Sequence, residues 1–195
     1  MSLRIENVTK KFGDKVILDN FSYSFAEVGL YVITGKSGIG KTTLLRMIAG
    51  LDKDYTGTIY GGGSGAVSMS FQEYRLFPHL SAVDNVAIAC FDKPDKENYL
   101  ECMGMLSRLG LSSQDFSLLP SELSGGMKQR VSLARAFIKD KPILLLDEAT
   151  KELDAHHARA VLEVIGELAN TRLVILVTHS EDDLEALSPI ANIIL

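Results

Sequence analysis

Tryptophan is absent from this chain of 195 residues, cysteine occurs twice and proline five times. Cys90 and Cys102 have no CxxC spacing and no matching histidine cluster. That speaks against a zinc site or a disulfide framework, and both read as reduced core residues. Few prolines, 46% hydrophobic and 23% charged residues describe an ordinary globular chain, not a disordered one. No apolar run approaches the roughly 18 residues a membrane span needs, and Met1–Glu6 shows no secretory hydrophobic region. The expectation is a cytosolic protein whose link to a membrane, if any, goes through another polypeptide. A formal net charge of −5, with no basic stripe and no stacking aromatic series, argues against a nucleic-acid partner. At this length the chain is one domain, or one domain with a subdomain, burying about 70% of its unfolded surface.

What is present is more specific. Residues 35 to 42 read Gly-Lys-Ser-Gly-Ile-Gly-Lys-Thr, a complete phosphate-binding loop of the form G-x-x-x-x-G-K-[ST]. Glycines at 35, 38 and 40 let consecutive backbone N–H groups curl around phosphates, Lys41 reaches the β- and γ-phosphates, and the Thr42 hydroxyl is a magnesium ligand. Leu30–Thr34 before it suits a buried strand, and Thr42–Ala49 after it suits a helix ended by Gly50. The helix N-terminus then faces the phosphates.

The rest of the chain alternates strand and helix. Leu3–Val8, Val16–Leu18 and Phe21–Phe25 read as strands, with a turn at Gly13-Asp14. Thr58–Tyr60 and Val67–Phe71 flank the glycine-rich stretch Gly61–Gly65 and are expected to form a hairpin. From Gln72 to about Leu123 the pattern is loop-rich and helical, with Tyr99, Met103, Leu106 and Leu109 at helical spacing. Ser124 is placed to cap a helix whose apolar face is Met127, Val131, Ala134, Phe137 and Ile138. Ile143–Leu146 is a continuous apolar run of the kind covered on both faces of a parallel sheet. A helix over about Ala155–Ala169, a strand Leu173–Val177, a helix near Glu181–Leu187 and a strand Ala191–Leu195 complete a mainly parallel α/β core.

Asp147-Glu148 lies at the C-terminal end of that apolar run, where open parallel sheets place their ligand crevice. Two adjacent carboxylates there suit two tasks: Asp147 holds magnesium through its shell, and Glu148 polarises an attacking water. A positioned general base contributes about 10²–10⁴ in rate.

The phosphate loop, Gln72 after a strand, Leu123-Ser124-Gly125-Gly126-Met127-Lys128-Gln129-Arg130, Ile143–Glu148, Leu153-Asp154 and Thr178-His179 occur in the order found in ATP-binding subunits of ABC transporters. The chain resembles that family over essentially its whole length. The resemblance implies a single ABC ATPase domain over 1–195 with a P-loop NTPase core (about 1–72 and 123–195), an N-terminal antiparallel β-subdomain and a helical subdomain (about 73–122). It implies ATP and Mg²⁺ as cofactors. Phe12 would stack on adenine; the alternative is a core phenylalanine on a strand, since the family more often has tyrosine there. Gly35, Lys36, Ser37, Gly38, Ile39, Gly40, Lys41, Thr42 and Thr43 would hold the phosphates, and Thr42, Gln72 and Asp147 the metal. Glu148, His179, Gln72 and Lys41 would carry the chemistry. Ser124, Gly125 and Gly126 would bind the γ-phosphate held by an opposite subunit, and Asp154 would lie on the loop crossing between subunits while also capping a helix. His79, His156 and His157 have no such role.

Partners follow from the same resemblance: transmembrane permease subunits, a head-to-tail dimer with itself or a second ATPase subunit, and a substrate-binding protein in an assembled uptake system. The protein would then sit in the cytoplasm, peripheral on the inner face of the cell membrane. Glu73–Leu80 resembles the permease-facing stretch of importer subunits, loosely those for nitrate, sulfonate or related small anions. An exporter or lipid- and lipoprotein-releasing subunit would share every motif. A soluble non-transport ABC ATPase would need coiled coils or two cassettes, and a P-loop kinase would have no use for Leu-Ser-Gly-Gly. Three departures stand out. Ala149-Thr150-Lys151-Glu152 replaces the usual Pro-Thr-Ser-Ala, the Lys41-to-Gln72 interval is compressed, and no C-terminal regulatory domain is expected beyond Leu195.

Overall fold

The fold follows from two sheets that divide the strands between them. A computed structural model describes residues 2–195; Met1, with which the domain expectation begins, lies outside them. β1 (Arg4–Phe12) and β2 (Lys15–Ser24) pair antiparallel across a turn at Gly13, whose φ of +57° suits glycine. β3 (Gly29–Thr34) then leads to α1 (Lys41–Ile48) and β4 (Thr56–Tyr60), which pairs with β1 to give an antiparallel sheet of order β2-β1-β4.

After β5 (Val67–Ser70) come α2 (Ala82–Cys90), α3 (Lys96–Arg108) and a 3₁₀ turn at Asp115–Ser117. The remaining elements are α4 (Gly125–Ile138), β6 (Ile143–Asp147), α5 (Ala155–Leu168), β7 (Leu173–Val177), α6 (Glu181–Ala186) and β8 (Ala191–Ile194). The second sheet is parallel throughout, in the order β5-β6-β7-β3-β8.

Two local expectations are corrected. Val16–Leu18 and Phe21–Phe25 are not separate strands; β2 runs continuously from Lys15 to Ser24, leaving Phe25 just beyond it, and passes through Asn20 (φ +48°), whose N–H donates to Thr9 Oγ1 at 2.9 Å. The segments flanking Gly61–Gly65 do not form a hairpin either. β4 belongs to the antiparallel sheet and β5 to the parallel one, so the glycine stretch carries the chain from one sheet to the other. Its first two positions have no room for side chains: a Cβ on Gly61 would lie 2.5 Å from Ser2 O, and on Gly62 2.5 Å from Ile48 O.

Alternation along the central strands fills both faces of the parallel sheet. Val32, Leu144, Leu146, Val174 and Leu176 pack toward α2, α3, α4 and α5. Tyr31, Ile33, Ile143, Leu145, Ile175 and Val177 pack toward α1 and the inner face of β1, where Ile5 and Val8 are buried together with Leu3 just before the strand. Each such aliphatic side chain contributes about 1.5–3 kcal/mol on burial.

Two buried polar groups fix the helical region. Asn85 is fully buried on α2: its Oδ1 accepts from the Phe77 N–H at 2.8 Å, and its Nδ2 donates to Phe77 O, Leu80 O and Ser81 O. One side chain thus ties down the loop from Phe77 to Ser81. Arg130 on α4 donates to Leu109 O (3.0 Å), Gly110 O (2.8 Å) and Gly126 O (3.2 Å), locking the start of α4 to the end of α3.

Candidate functional site

The loop between β3 and α1 is wound through left-handed glycines: Gly35 (φ +141°), Gly38 (+75°) and Gly40 (+121°). A Cβ on Gly40 would come within 2.3 Å of Ile17 Cγ2, and one on Gly35 within 2.7 Å of Leu195 O. Gly38 faces open space and is glycine for its φ alone. Lys41, 6% exposed, folds back so that Nζ donates to Gly35 O (2.9 Å) and Lys36 O (3.0 Å). Its ammonium is bonded to two neutral carbonyls, which leaves its charge free to meet an anion inside the loop. Lys36, Ser37 and Ile39 are exposed on the loop, and Thr43 follows on α1.

β6 carries the paired carboxylates to the same end of the sheet. Asp147 is 2% exposed and accepts from Thr42 Oγ1 at 2.7 Å. Burial pushes its carboxyl above the usual carboxylate value against the Thr42 hydrogen bond, and the Glu148 charge adds to the push. A buried carboxylate with unfavourable charge, bonded to a hydroxyl at a phosphate loop, is the donor set a hard divalent cation takes.

Glu148 follows at φ +52°, a conformation costing a non-glycine residue about 1–3 kcal/mol. Its N–H is held by Val177 O at 2.9 Å. Its carboxylate gathers the other sequence-identified groups: Gln72 Nε2 donates to Oε2 at 3.2 Å, and His179 Nε2 lies 3.5 Å from Oε1. A further cation, Lys151, donates to Oε2 at 2.5 Å.

Phe12, Ser37, Gly38, Gly40, Lys41, Thr42, Thr43, Gln72, Asp147, Glu148 and His179 line one cleft of about 420 Å³. Phe12 is not a core residue: it is 54% exposed, with Lys10 Nζ 4.7 Å from its ring centroid. Ser124, Gly125, Gly126 and Asp154 do not line this cleft. Ser124 caps α4, its Oγ accepting from Met127 N–H at 3.2 Å. Gly125 lies where a Cβ would meet Glu152 Oε2 at 3.1 Å and Tyr74 Oη at 3.4 Å, and Tyr74 Oη donates to Glu152 Oε2. Asp154 caps α5 by accepting from His157 N–H at 3.0 Å and pairs with His157 Nδ1 at 2.7 Å. The His157 backbone hydrogen bond, then its side chain, holds the Asp154 carboxyl down at about 2.

Several contributors escaped the sequence reading. Lys15, Ile17, Lys151 and Val177 also line the cleft. Asp183, 2% exposed in the first turn of α6, accepts from Thr150 Oγ1 (2.7 Å) and Thr178 Oγ1 (2.6 Å), and so joins the loop after Glu148 to the loop before His179. In the sequence it is one of three acidic residues opening a helix, with nothing to single it out. The cysteines are free thiols, and burial pushes Cys90 up to about 11 and Cys102 up to about 12, far from reactive thiolates.

Residues 18–151 match the family described as ABC transporter. The chain is 40% identical over 201 aligned residues to the Fe(3+) ions import ATP-binding protein FbpC of Brucella abortus, covering 96% of this chain and 56% of that protein. It is 36% identical over 199 residues to the sulfate/thiosulfate import ATP-binding protein CysA 1 of Chromobacterium violaceum, covering 94% and 56%. The chain therefore spans about 56% of the length of these curated relatives. Among solved structures it is similar to a dimeric post-hydrolysis state of the ATP-binding cassette MJ0796 bound to ADP and Pi. The TM-score is 0.85 at 28% identity, covering 94% of this chain and 90% of that one.

Proposed function

The chain belongs to the ABC transporter family, and on that premise we propose that it binds MgATP and hydrolyses it as the energising subunit of an uptake transporter for a small solute. The observation that carries the reading is the Glu148 carboxylate, held at φ +52° on the rim of the phosphate loop by Gln72 and faced by His179. Backbone strain at a residue that also gathers polar partners in a cleft supports a functional role for it.

The residues fit the nucleotide. Phe12 offers an exposed ring to adenine, and the loop Gly35, Lys36, Ser37, Gly38, Ile39, Gly40, with Lys41, Thr42 and Thr43, offers backbone N–H groups and one buried cation to the phosphates. Thr42, Asp147 and Gln72 would hold Mg²⁺, which when bound neutralises phosphate charge and orients the γ-phosphoryl group. Glu148 takes a proton from the attacking water as the new oxygen–phosphorus bond forms and the bond to the ADP oxygen breaks. His179, beside Glu148, and Lys41, on the loop, are placed to meet charge developing on the γ-phosphoryl oxygens.

Half of this site is supplied elsewhere. Ser124, Gly125 and Gly126 form the capped N-terminus of a 14-residue helix outside the cleft, and in the proposed head-to-tail dimer they cover the γ-phosphate held by the opposite copy. Asp154 then lies on the crossing loop. The dimeric cassette to which the chain is similar supports this arrangement. The names of the relatives, both import proteins, support uptake and a permease partner. No helix among the described residues is long and apolar enough to cross a membrane, so the proposed seat at the cytoplasmic face goes through permease subunits, with a substrate-binding protein in the assembled system. The proposed permease contact is the stretch from about Gln72 to Ala89, including Glu73–Leu80, within which Asn85 fixes the Phe77–Ser81 loop. We read residues 1–195 as one ABC ATPase domain, with the core at about 1–72 and 123–195 and the helical subdomain at about 73–122. The buried cluster that continues from Val32 on the sheet to Leu106 on α3 supports this.

The test is size-exclusion chromatography with ATP and magnesium of the wild type and Glu148→Gln, alongside phosphate release. An ATP-dependent dimer that persists in the variant, with wild-type turnover per molecule rising with concentration, is expected. A wild type that releases no phosphate at any concentration overturns the reading.

A further inference from the structure

We propose that Lys151 is a positioning residue for Glu148: by holding one carboxylate oxygen it fixes the orientation of the group, so that the other oxygen points steadily at the attacking water. This rests on the ATPase reading of the cleft and assigns a new part within it.

The two carboxylate oxygens are unequally engaged. Oε2 accepts from Lys151 Nζ at 2.5 Å and from Gln72 Nε2 at 3.2 Å. Oε1 has His179 Nε2 at 3.5 Å, too long for an ordinary hydrogen bond and open to a third party. The terminal torsion of a glutamate is broad, so without a strong donor on one oxygen the carboxylate plane swings and the other oxygen has no fixed direction. A single neutral amide at 3.2 Å is a weak latch, whereas an ammonium makes a charge-assisted bond roughly twice as strong.

The backbone brings Lys151 to this position. Glu148 at φ +52° starts a turn in which Lys151 N–H donates to Glu148 O at 3.3 Å, placing the two side chains side by side. Lys151 lines the same cleft as Lys41 and Thr42, so its charge also offsets the repulsion between an ionised Glu148 and the phosphates it must approach. Its pairing with Glu148 holds the ammonium above its usual value, so it stays charged throughout the neutral range. The side chain is 53% exposed, and its replacement removes no core packing.

The experiment is steady-state MgATP hydrolysis at a fixed, dimer-forming protein concentration for the wild type, Lys151→Ala, Lys151→Arg, Glu148→Gln and Glu148→Gln/Lys151→Ala. Lys151→Ala is expected to lower kcat about tenfold, a fraction of the ~10²–10⁴ a positioned base supplies. KM for ATP should stay within about twofold, and Lys151→Arg should recover most of the loss. In the Glu148→Gln background the same change should have no further effect. A kcat unchanged or raised in Lys151→Ala overturns the inference. So does a rise in KM at constant kcat, an arginine variant as slow as the alanine one, or a full additional loss in the double variant. A wild type that hydrolyses ATP while Lys151→Ala matches it sinks only this inference; a wild type without hydrolysis sinks the ATPase reading with it.

Discussion

Thr42 Oγ1 donates a 2.7 Å hydrogen bond to Asp147 Oδ2, joining the first turn of α1 to the end of β6 across 105 positions of sequence. The bond closes the cleft floor before any ligand arrives. Thr42→Val keeps the shape and removes the donor, leaving a carboxylate 2% exposed without that partner. The cost is about 1–3 kcal/mol, read as a lower urea midpoint, together with loss of magnesium-dependent nucleotide affinity. Thr42→Ser should restore both. A valine variant with wild-type magnesium dependence would show that this hydroxyl is not part of the metal site.

Asp183 holds the hydroxyls of Thr150 and Thr178, and through them the segments that carry Glu148 and His179. Asp183→Ala strips both hydroxyls of their acceptor and should destabilise the protein by about 2 kcal/mol or more. It should also lower kcat more than KM changes. Asp183→Asn, which keeps a carbonyl oxygen, should lose less of each in denaturation and turnover measured side by side.

Asp154 gives a pH signature. Its carboxyl is held at about 2 in the folded protein, first by the His157 backbone hydrogen bond, against about 3.9 in an unfolded chain. The stability it contributes is present above about 3.9 and is lost as pH falls toward about 2. Asp154→Asn keeps the cap at α5 but cannot titrate, so its acid-unfolding curve should fall less steeply over that interval. An identical curve would remove Asp154 from the acid response.

Tyr74 provides the alkaline counterpart. Burial first, then its hydrogen bond to Glu152, pushes the phenol up to about 12, against about 10 for a free one. The folded state keeps this proton longer, so the associated stability is present below about 10 and is lost as pH rises through about 12. Phenolate absorbance of the folded protein should show a late-titrating component that disappears in Tyr74→Phe and moves to lower pH in Glu152→Gln.

Much of the local structure around the cleft was legible because it is written locally. The phosphate loop needs left-handed residues at 35, 38 and 40, and glycine is the residue that supplies them. Ser124 announces α4 because a hydroxyl before a helix satisfies an orphan N–H. Ile143–Leu146 announces a central strand because both its faces are apolar. These signals act within a few residues, and the structure agrees with each.

The sequence by itself thus determined where the chain winds through left-handed glycines, caps a helix or crosses a buried sheet, since those properties depend on side-chain chemistry and short-range backbone geometry. Only the tertiary structure decided that β4 and β5 join different sheets, that Asp183 serves two threonines, and that Lys151 turns to Glu148 while Glu152 turns to Tyr74. Strand partners and the owners of buried hydrogen bonds are set by closure of distant segments around a common core, and nothing in a local stretch of chain encodes the segment that will arrive to meet it.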